Sequence, residues 1–327
     1  MTARSPTAAK QRGMAIISAL LIAAVVAVIA GGMLTRQTLF TRGLESEQLR
    51  VQGSWQLQGG MEVSRQRLWE DRQRDVLTRL DQNWARPIQL AALGPGAGPF
   101  EGRLEDEQSK FNLRNLLAND RLDPLQIENF QRLCELLGVN ATLGQRISQR
   151  VIASYPRLLS PEGTASPVNS GFHSGRDTSP EAARKPLLAK QPMLRSLDDL
   201  LGVNGVDEKL LARLEPFVTI LPANTWVNGN TASAEVLAAT VPGLALPRAK
   251  ALIAERDSGQ WFINQGDFIN RLRMPQVPAD AVRVGITSEW FRLQGQARGE
   301  RRRVKLLALL YRSEDNMPRV IWSRVGV

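Results

Sequence analysis

The sequence predicts an α+β protein: a long N-terminal helix and an antiparallel sheet, with a large all-α insertion between the first strands and the last. Three observations predict it. Met14 to Thr35, MAIISALLIAAVVAVIAGGMLT, runs 22 residues without a charge and leads into an amphipathic stretch. The middle of the chain consists of short segments of helical period, each opened by a capping residue and separated by glycine-containing turns. From Glu289 the period falls to two in WFRLQGQA, RVKLLALLY and PRVIWSRV, the pattern of strands joined by tight turns.

Composition sets the limits. A chain of 327 residues suggests two domains, or one domain with an insertion. Forty-two Lys+Arg against 32 Asp+Glu give +10, which points to an acidic partner, a nucleic acid or an anionic surface. The single cysteine, Cys134, excludes an intramolecular disulfide framework, and the single histidine, His173, excludes a His-cluster metal site. There is no phosphate loop, dinucleotide fingerprint or nucleophile elbow. The carboxylate pairs Asp198-Asp199 and Asp207-Glu208 stand at helix starts, where acids complement the dipole. The expectation is a protein that is not an enzyme.

In chain order, residues 1–13 form a basic leader with Arg4, Lys10 and Arg12 and no acid. Residues 14–35 form a span of about 33 Å as a helix, enough for a hydrocarbon core of about 30 Å. It is also longer than the apolar region of a secretory signal. Basic residues ahead of the span favour a cytoplasmic N-terminus. Phe40, Leu44, Val51 and Trp55 then recur at spacings of four and seven, and Trp69, Val76, Leu80 and Trp84 continue the stripe to Pro87. Gly53, Gly59 and Gly60 are expected to weaken or kink this helix. Gly94 to Pro99 is a turn and Phe100 to Asn112 a strand–turn element, so residues 36–112 hold the helix and the first strands. Residues 113–275 are the helical insertion. Leu113–Leu137 is broken at Asp123-Pro124, Thr142 opens the next helix, and Ser196, Asp207 and Asn230-Thr231 open others. Segments 196–220 and 231–257 read as a degenerate repeat of paired helices, and Cys134 as a buried thiol. Residues 156–192, rich in Ser, Pro and Gly, read as an exposed loop. Residues 276–327 return to the sheet.

The basic leader ends in Gly13, directly before Met14-Ala-Ile-Ile-Ser18. This resembles the class III signal of type IV pilins and pseudopilins, in which a prepilin peptidase cuts after the glycine and the new N-terminus, here Met14, is methylated. The fifth position after the cut is Ser18, where most such subunits carry a glutamate that neutralises a neighbour's terminal ammonium. The missing acid, the helical insertion and the stretches WVNGNTASAEVL, AKALIAER and DEQSKFNLRNLL resemble the minor pseudopilin K family of type II secretion. The resemblance implies a pilin-like fold, an inner-membrane anchor with the body in the periplasm, and a place at the pseudopilus tip. It also implies the minor pseudopilins H, I and J and the major pseudopilin G as partners. Val51, Trp55 and Trp69 are the candidate partner contacts, since aromatic anchors dominate many interfaces.

Members of that family hold calcium in an acidic loop after the first helical hairpin. The corresponding stretch here, residues 151–177, offers only Glu162 and Asp177, against the six to eight oxygens calcium takes. The expectation is therefore no cofactor, with calcium the one candidate ion. Glu105, Asp106 and Glu107 are consecutive and do not all turn to one centre. The alternative function is a membrane-anchored DNA receptor. Asn228-Gly-Asn230-Thr-Ala-Ser233, Val241-Pro-Gly243 and Ala249 to Arg256 resemble helix-hairpin-helix modules, and Arg298, Arg301, Arg302, Arg303 and Lys305 form a second basic feature. Ala245 and Pro247 stand where an anion site needs a glycine amide and an N–H. The primary reading includes no nucleic acid.

Overall fold

The computed structural model describes residues 8–92, 98–158, 186–298 and 303–326. Helix α1 (Ala8–Arg74) has 67 residues, about 100 Å at 1.5 Å per residue. No proline interrupts it, because Pro6 and Pro87 flank it on either side. Side chains of Ile16–Leu34 are exposed all round, and this stretch is long and apolar enough to cross a membrane.

The second half of α1 lies on a five-stranded antiparallel sheet. Its strands are β1 (Ile88–Leu90), β2 (Phe100–Asp106), β3 (Trp290–Arg298), β4 (Arg303–Tyr311) and β5 (Arg319–Gly326), paired in that order. The helix turns Leu57, Gly60, Ser64, Leu68 and Asp71 inward. The expected stripe is corrected here: Phe40, Val51 and Trp55 face outward. Val76 and Leu80 lie beyond the end of α1 and are exposed, while Trp84 is buried in the short 3-10 turn Asn83–Ala85. Fit to the sheet decides which face turns in. The Phe100 ring occupies a pit walled by Gly60, Gly102 and Gly295, and Gly102 and Gly295 are directly opposed in β2 and β3. A Cβ on Gly60 would stand 2.3 Å from that ring. Gly60 therefore admits an aromatic residue, and α1 runs on through it and through Gly53 and Gly59 without a break.

Contacts along α1 fix the sheet's direction. Gln56 Nε2 donates to the Ala91 carbonyl at 2.8 Å, Arg65 Nε to the Pro318 carbonyl at 2.6 Å, and Arg72 to Glu314 at 2.9 Å. The end of the sheet that holds Leu90, Phe100 and Ala297 thus points back toward the apolar span. The insertion leaves from the other end, since β2 and β3 pair with each other although residues 107–289 separate them in sequence.

That insertion packs α2 (Pro124–Leu136), α3 (Ala141–Ala153), α4 (Glu208–Leu214), α5 (Ala234–Thr240), α6 (Leu246–Asp257) and α7 (Gln265–Leu272) around one core. Five of the seven residues of α5 are apolar and buried, so this helix lies at the centre. Asp123 caps α2 with Pro124 behind it, and Asp207 caps α4, both as expected. Two expected caps are displaced. Asn140, not Thr142, caps α3 and accepts from the Thr142 amide, and Ser233, not Asn230-Thr231, caps α5. A cap needs extended backbone one residue ahead of the helix, which Asn140 and Ser233 have. The turns at Gly205 (φ 92°) and Gly243 (φ 75°) use left-handed backbone that favours glycine. Cys134 is fully buried, and burial pushes its thiol up to about 12.

Candidate functional site

Where the insertion meets the sheet, the last residue of β2 becomes a shared acceptor. Asp106 accepts from Ser288 Oγ and Thr231 Oγ1, both at 2.6 Å, from Asn228 Nδ2 at 3.1 Å and from the Gln108 amide at 2.8 Å. Asn228 Nδ2 also reaches the Thr78 carbonyl at 3.1 Å and Ser288 Oγ at 2.8 Å. Arg312, just past β4, donates to Thr78 Oγ1 at 2.6 Å and the Ser288 carbonyl at 2.7 Å, and lies over the Phe291 ring. Three parts of the chain therefore share one buried network: the segment after α1, the sheet and the insertion. Burial raises the Asp106 carboxyl above the ordinary aspartate range despite its four donors, and lowers Arg312 to about 10 despite the field of Asp106.

Strand alternation turns Glu105 away from Asp106. Arg292 bonds Glu105 at 2.8 Å and lies 3.0 Å from Glu107 and 3.2 Å from Glu215 as an ion pair. Lys110 is 3.0 Å from Glu107 and 3.5 Å from Glu105, and Thr219 Oγ1 donates to the Glu107 carboxylate. Burial alone would raise the Glu105 carboxyl. The Arg292 hydrogen bond and the charges of Lys110, Arg292 and Arg103 outweigh burial and hold it below the usual range. The acidic triplet is thus split between two sites, and among the described residues no group of three or more His, Cys, Asp or Glu is placed to hold a metal ion.

The motif WVNGNT lies inside this junction. Asn230 exchanges two hydrogen bonds, each 2.9 Å, with the backbone of Phe262. Arg256, from AKALIAER, is buried and donates to the Gly229 and Ala232 carbonyls at 3.1 and 2.7 Å. Asn112 and Asn115, from DEQSKFNLRNLL, hold the backbone of residues 221–225 in the same manner. Asn228 and Asn230 are fully buried, so they do not face a phosphate.

Two family profiles, both described as type II secretion system (T2SS), protein K, match residues 109–223 and 227–287, more than half of the chain between them. The chain belongs to the type II secretion system protein K family. It is a minor pseudopilin of type II secretion, and the alternative of a membrane-anchored DNA receptor finds no support. Among its relatives, type II secretion system protein K of Pseudomonas aeruginosa is 29% identical, with 97% of this chain and 93% of the relative covered. That of Aeromonas hydrophila is 28% identical, with 95% and 96% covered. The fold matches a chain of the GspK-GspI-GspJ complex from enterotoxigenic Escherichia coli with a TM-score of 0.62 at 19% identity, covering 87% of this chain and 99% of that one.

The sequence-derived residues of this family member are spread along α1. Gly13 and Met14 lie in its first turns and Ser18 in the apolar span. Val51 and Trp55 are 50% and 65% exposed, and Trp69 is half-buried. Glu162, His173 and Asp177 fall outside the described residues, as do Arg301 and Arg302. Sequence reasoning missed Thr78, Ser288, Arg292 and Arg312, and saw Asp106 only as part of an acidic cluster. The single signal that pointed to the junction was the Asn-Gly-Asn run.

Proposed function

We propose that this pseudopilin caps the pseudopilus tip and acts structurally, without catalysis. One observation carries the reading: the insertion leaves the sheet at the end of α1 remote from the apolar span, where a further subunit would have to stack. The residues named from the sequence fit this role. Cleavage after Gly13 by prepilin peptidase leaves Met14 as the N-terminus of an inner-membrane anchor, with the body in the periplasm. A subunit with no neighbour ahead needs no acid at Ser18. The exposed Val51 and Trp55, with Trp69, offer α1 to companion minor pseudopilins H, I and J and to the major pseudopilin G. That the E. coli structural relative is in complex with GspI and GspJ supports the partnership with I and J.

Two measurements test it. Mass spectrometry of the membrane-extracted protein should find Met14 as the first residue; an intact Met1 in a strain with active prepilin peptidase overturns the processing. Crosslinking to the major pseudopilin on isolated filaments should place the protein at one end. Regular spacing along the shaft overturns the tip position.

A further inference from the structure

The two edges of the sheet differ. On one side β1 has three residues; on the other β5 has eight, with β4 its only strand partner among the described residues. Soluble proteins blunt such an edge with proline, a bulge or a covering element, because its free N–H and C=O groups recruit foreign strands. Here no proline occurs from Arg319 to Gly326. The register shift leaves Ile321 of β5 as a bulge, because Leu309 pairs with Trp322 and Leu310 with Val320, and the five residues Trp322–Gly326 beyond it keep an unbroken register. Ile321 and Val325 on β5 are exposed, the latter by 62%.

On the two strands at this edge the charge has one sign, whereas the turn between them carries the exposed acids Glu314 and Asp315. Neither β4 nor β5 contains an acid, and Arg303, Lys305, Arg319 and Arg324 on them are exposed. Glu101, at the same end of the sheet, lies beyond β3 and accepts from Gln296 Nε2 at 3.0 Å. Lys305 and Arg324 also sit at the end of the sheet that points back toward the apolar span, since Lys305 pairs with Gly326 and Ala297 with Phe100, the residue against Gly60. From Leu34 to Gly60, α1 rises about 39 Å, which puts these cations well beyond the reach of lipid headgroups around an upright helix.

We infer that β5 is a docking edge, extended by an acid-bearing strand of a companion pseudopilin lying below this subunit. The open backbone supplies affinity and the basic flank selects the partner. The inference deepens the tip reading and rests on it, since a subunit with nothing above must be held from its side and underside.

Hydrogen exchange on the full chain in detergent, alone and with the co-expressed I and J companions of its own secretion system, tests it. The β5 amides facing away from β4 should exchange at least tenfold more slowly in the complex, and the β1 amides should not change. A complex that forms with β5 unprotected overturns the docking edge and leaves the assembly reading standing. No complex with either companion overturns both. The triple variant Arg303→Glu, Lys305→Glu, Arg324→Glu should capture at least tenfold less companion while its β3 and β4 amides keep their protection; unchanged capture overturns the role of charge. A Ser323→Cys variant carrying a thiol-linked photocrosslinker should label an acidic, extended segment, and a label in a helix or a basic segment overturns the proposed occupant.

Discussion

In the insertion, helices α2–α7 pack around one core, and Asn230 and Arg256 of its motifs are consumed by its own backbone, while Asn228 and Thr231 reach the body. In the body, by contrast, one helix covers one face of the sheet, and a long edge and the outer side of α1 stay open. The insertion is closed and the body is incomplete. The difference follows from what each must do in an assembly. An element that ends a filament should offer nothing for another subunit to continue, whereas one that joins it must keep strands and helix faces unpaired until partners arrive. Between them lies the Asp106 network, which fixes their relative orientation through short polar contacts.

The largest break in this comparison should come at that network. Asp106→Ala takes away the acceptor that four donors share, and removes the acid whose field supports the buried Arg312, a loss of about 3–5 kcal/mol by analogy with broken buried charge networks. Thermal unfolding of the detergent-solubilised chain should show it, and a change below 1 kcal/mol would mean that apolar packing alone joins the two parts. The same residue gives a pH signature. Because its folded pKa is raised, its contribution is fully present below the ordinary aspartate value of 3.8 and is lost as pH rises through the folded value. Urea titrations at a series of pH values should show that decline, and Asp106→Asn should flatten it. Glu105, held low, works in the opposite sense: its contribution is present above 4.5 and fades as pH falls through the lowered value.

Smaller effects sharpen the contrast within α1. Gly60→Ala places a methyl group 2.3 Å from the Phe100 ring and should cost about 1–3 kcal/mol, although alanine is the better helix former. Its neighbour Gly59 has nothing within 4 Å of a Cβ, so Gly59→Ala should stabilise by up to about 1 kcal/mol. Opposite signs at adjacent positions, read as melting temperatures, would establish that the body's packing lies on the Gly60 face. Least affected should be Trp55→Ala, with a stability change within about 0.5 kcal/mol for an exposed side chain. It should nonetheless reduce co-purification with companion pseudopilins. A melting temperature that drops sharply with co-purification intact would place Trp55 in the subunit's own packing.

The apolar span, the change of period at Glu289 and the caps at Asp123 and Asp207 were legible in the sequence because each is a local property. Uncharged length, alternation and a side-chain oxygen ahead of a helix act within a few residues of themselves. The face that α1 buries was not legible. Gly60 and Ser64 carry no hydrophobic signal, and only the arrival of Phe100 from β2 makes that side the interior. The junction was equally hidden, since Thr78, Asp106, Asn228, Ser288 and Arg312 are scattered over more than 200 positions and each is unremarkable alone. Pairing β2 with β3 across residues 107–289 brings them together, and burial then turns ordinary polar side chains into the fastening between body and insertion.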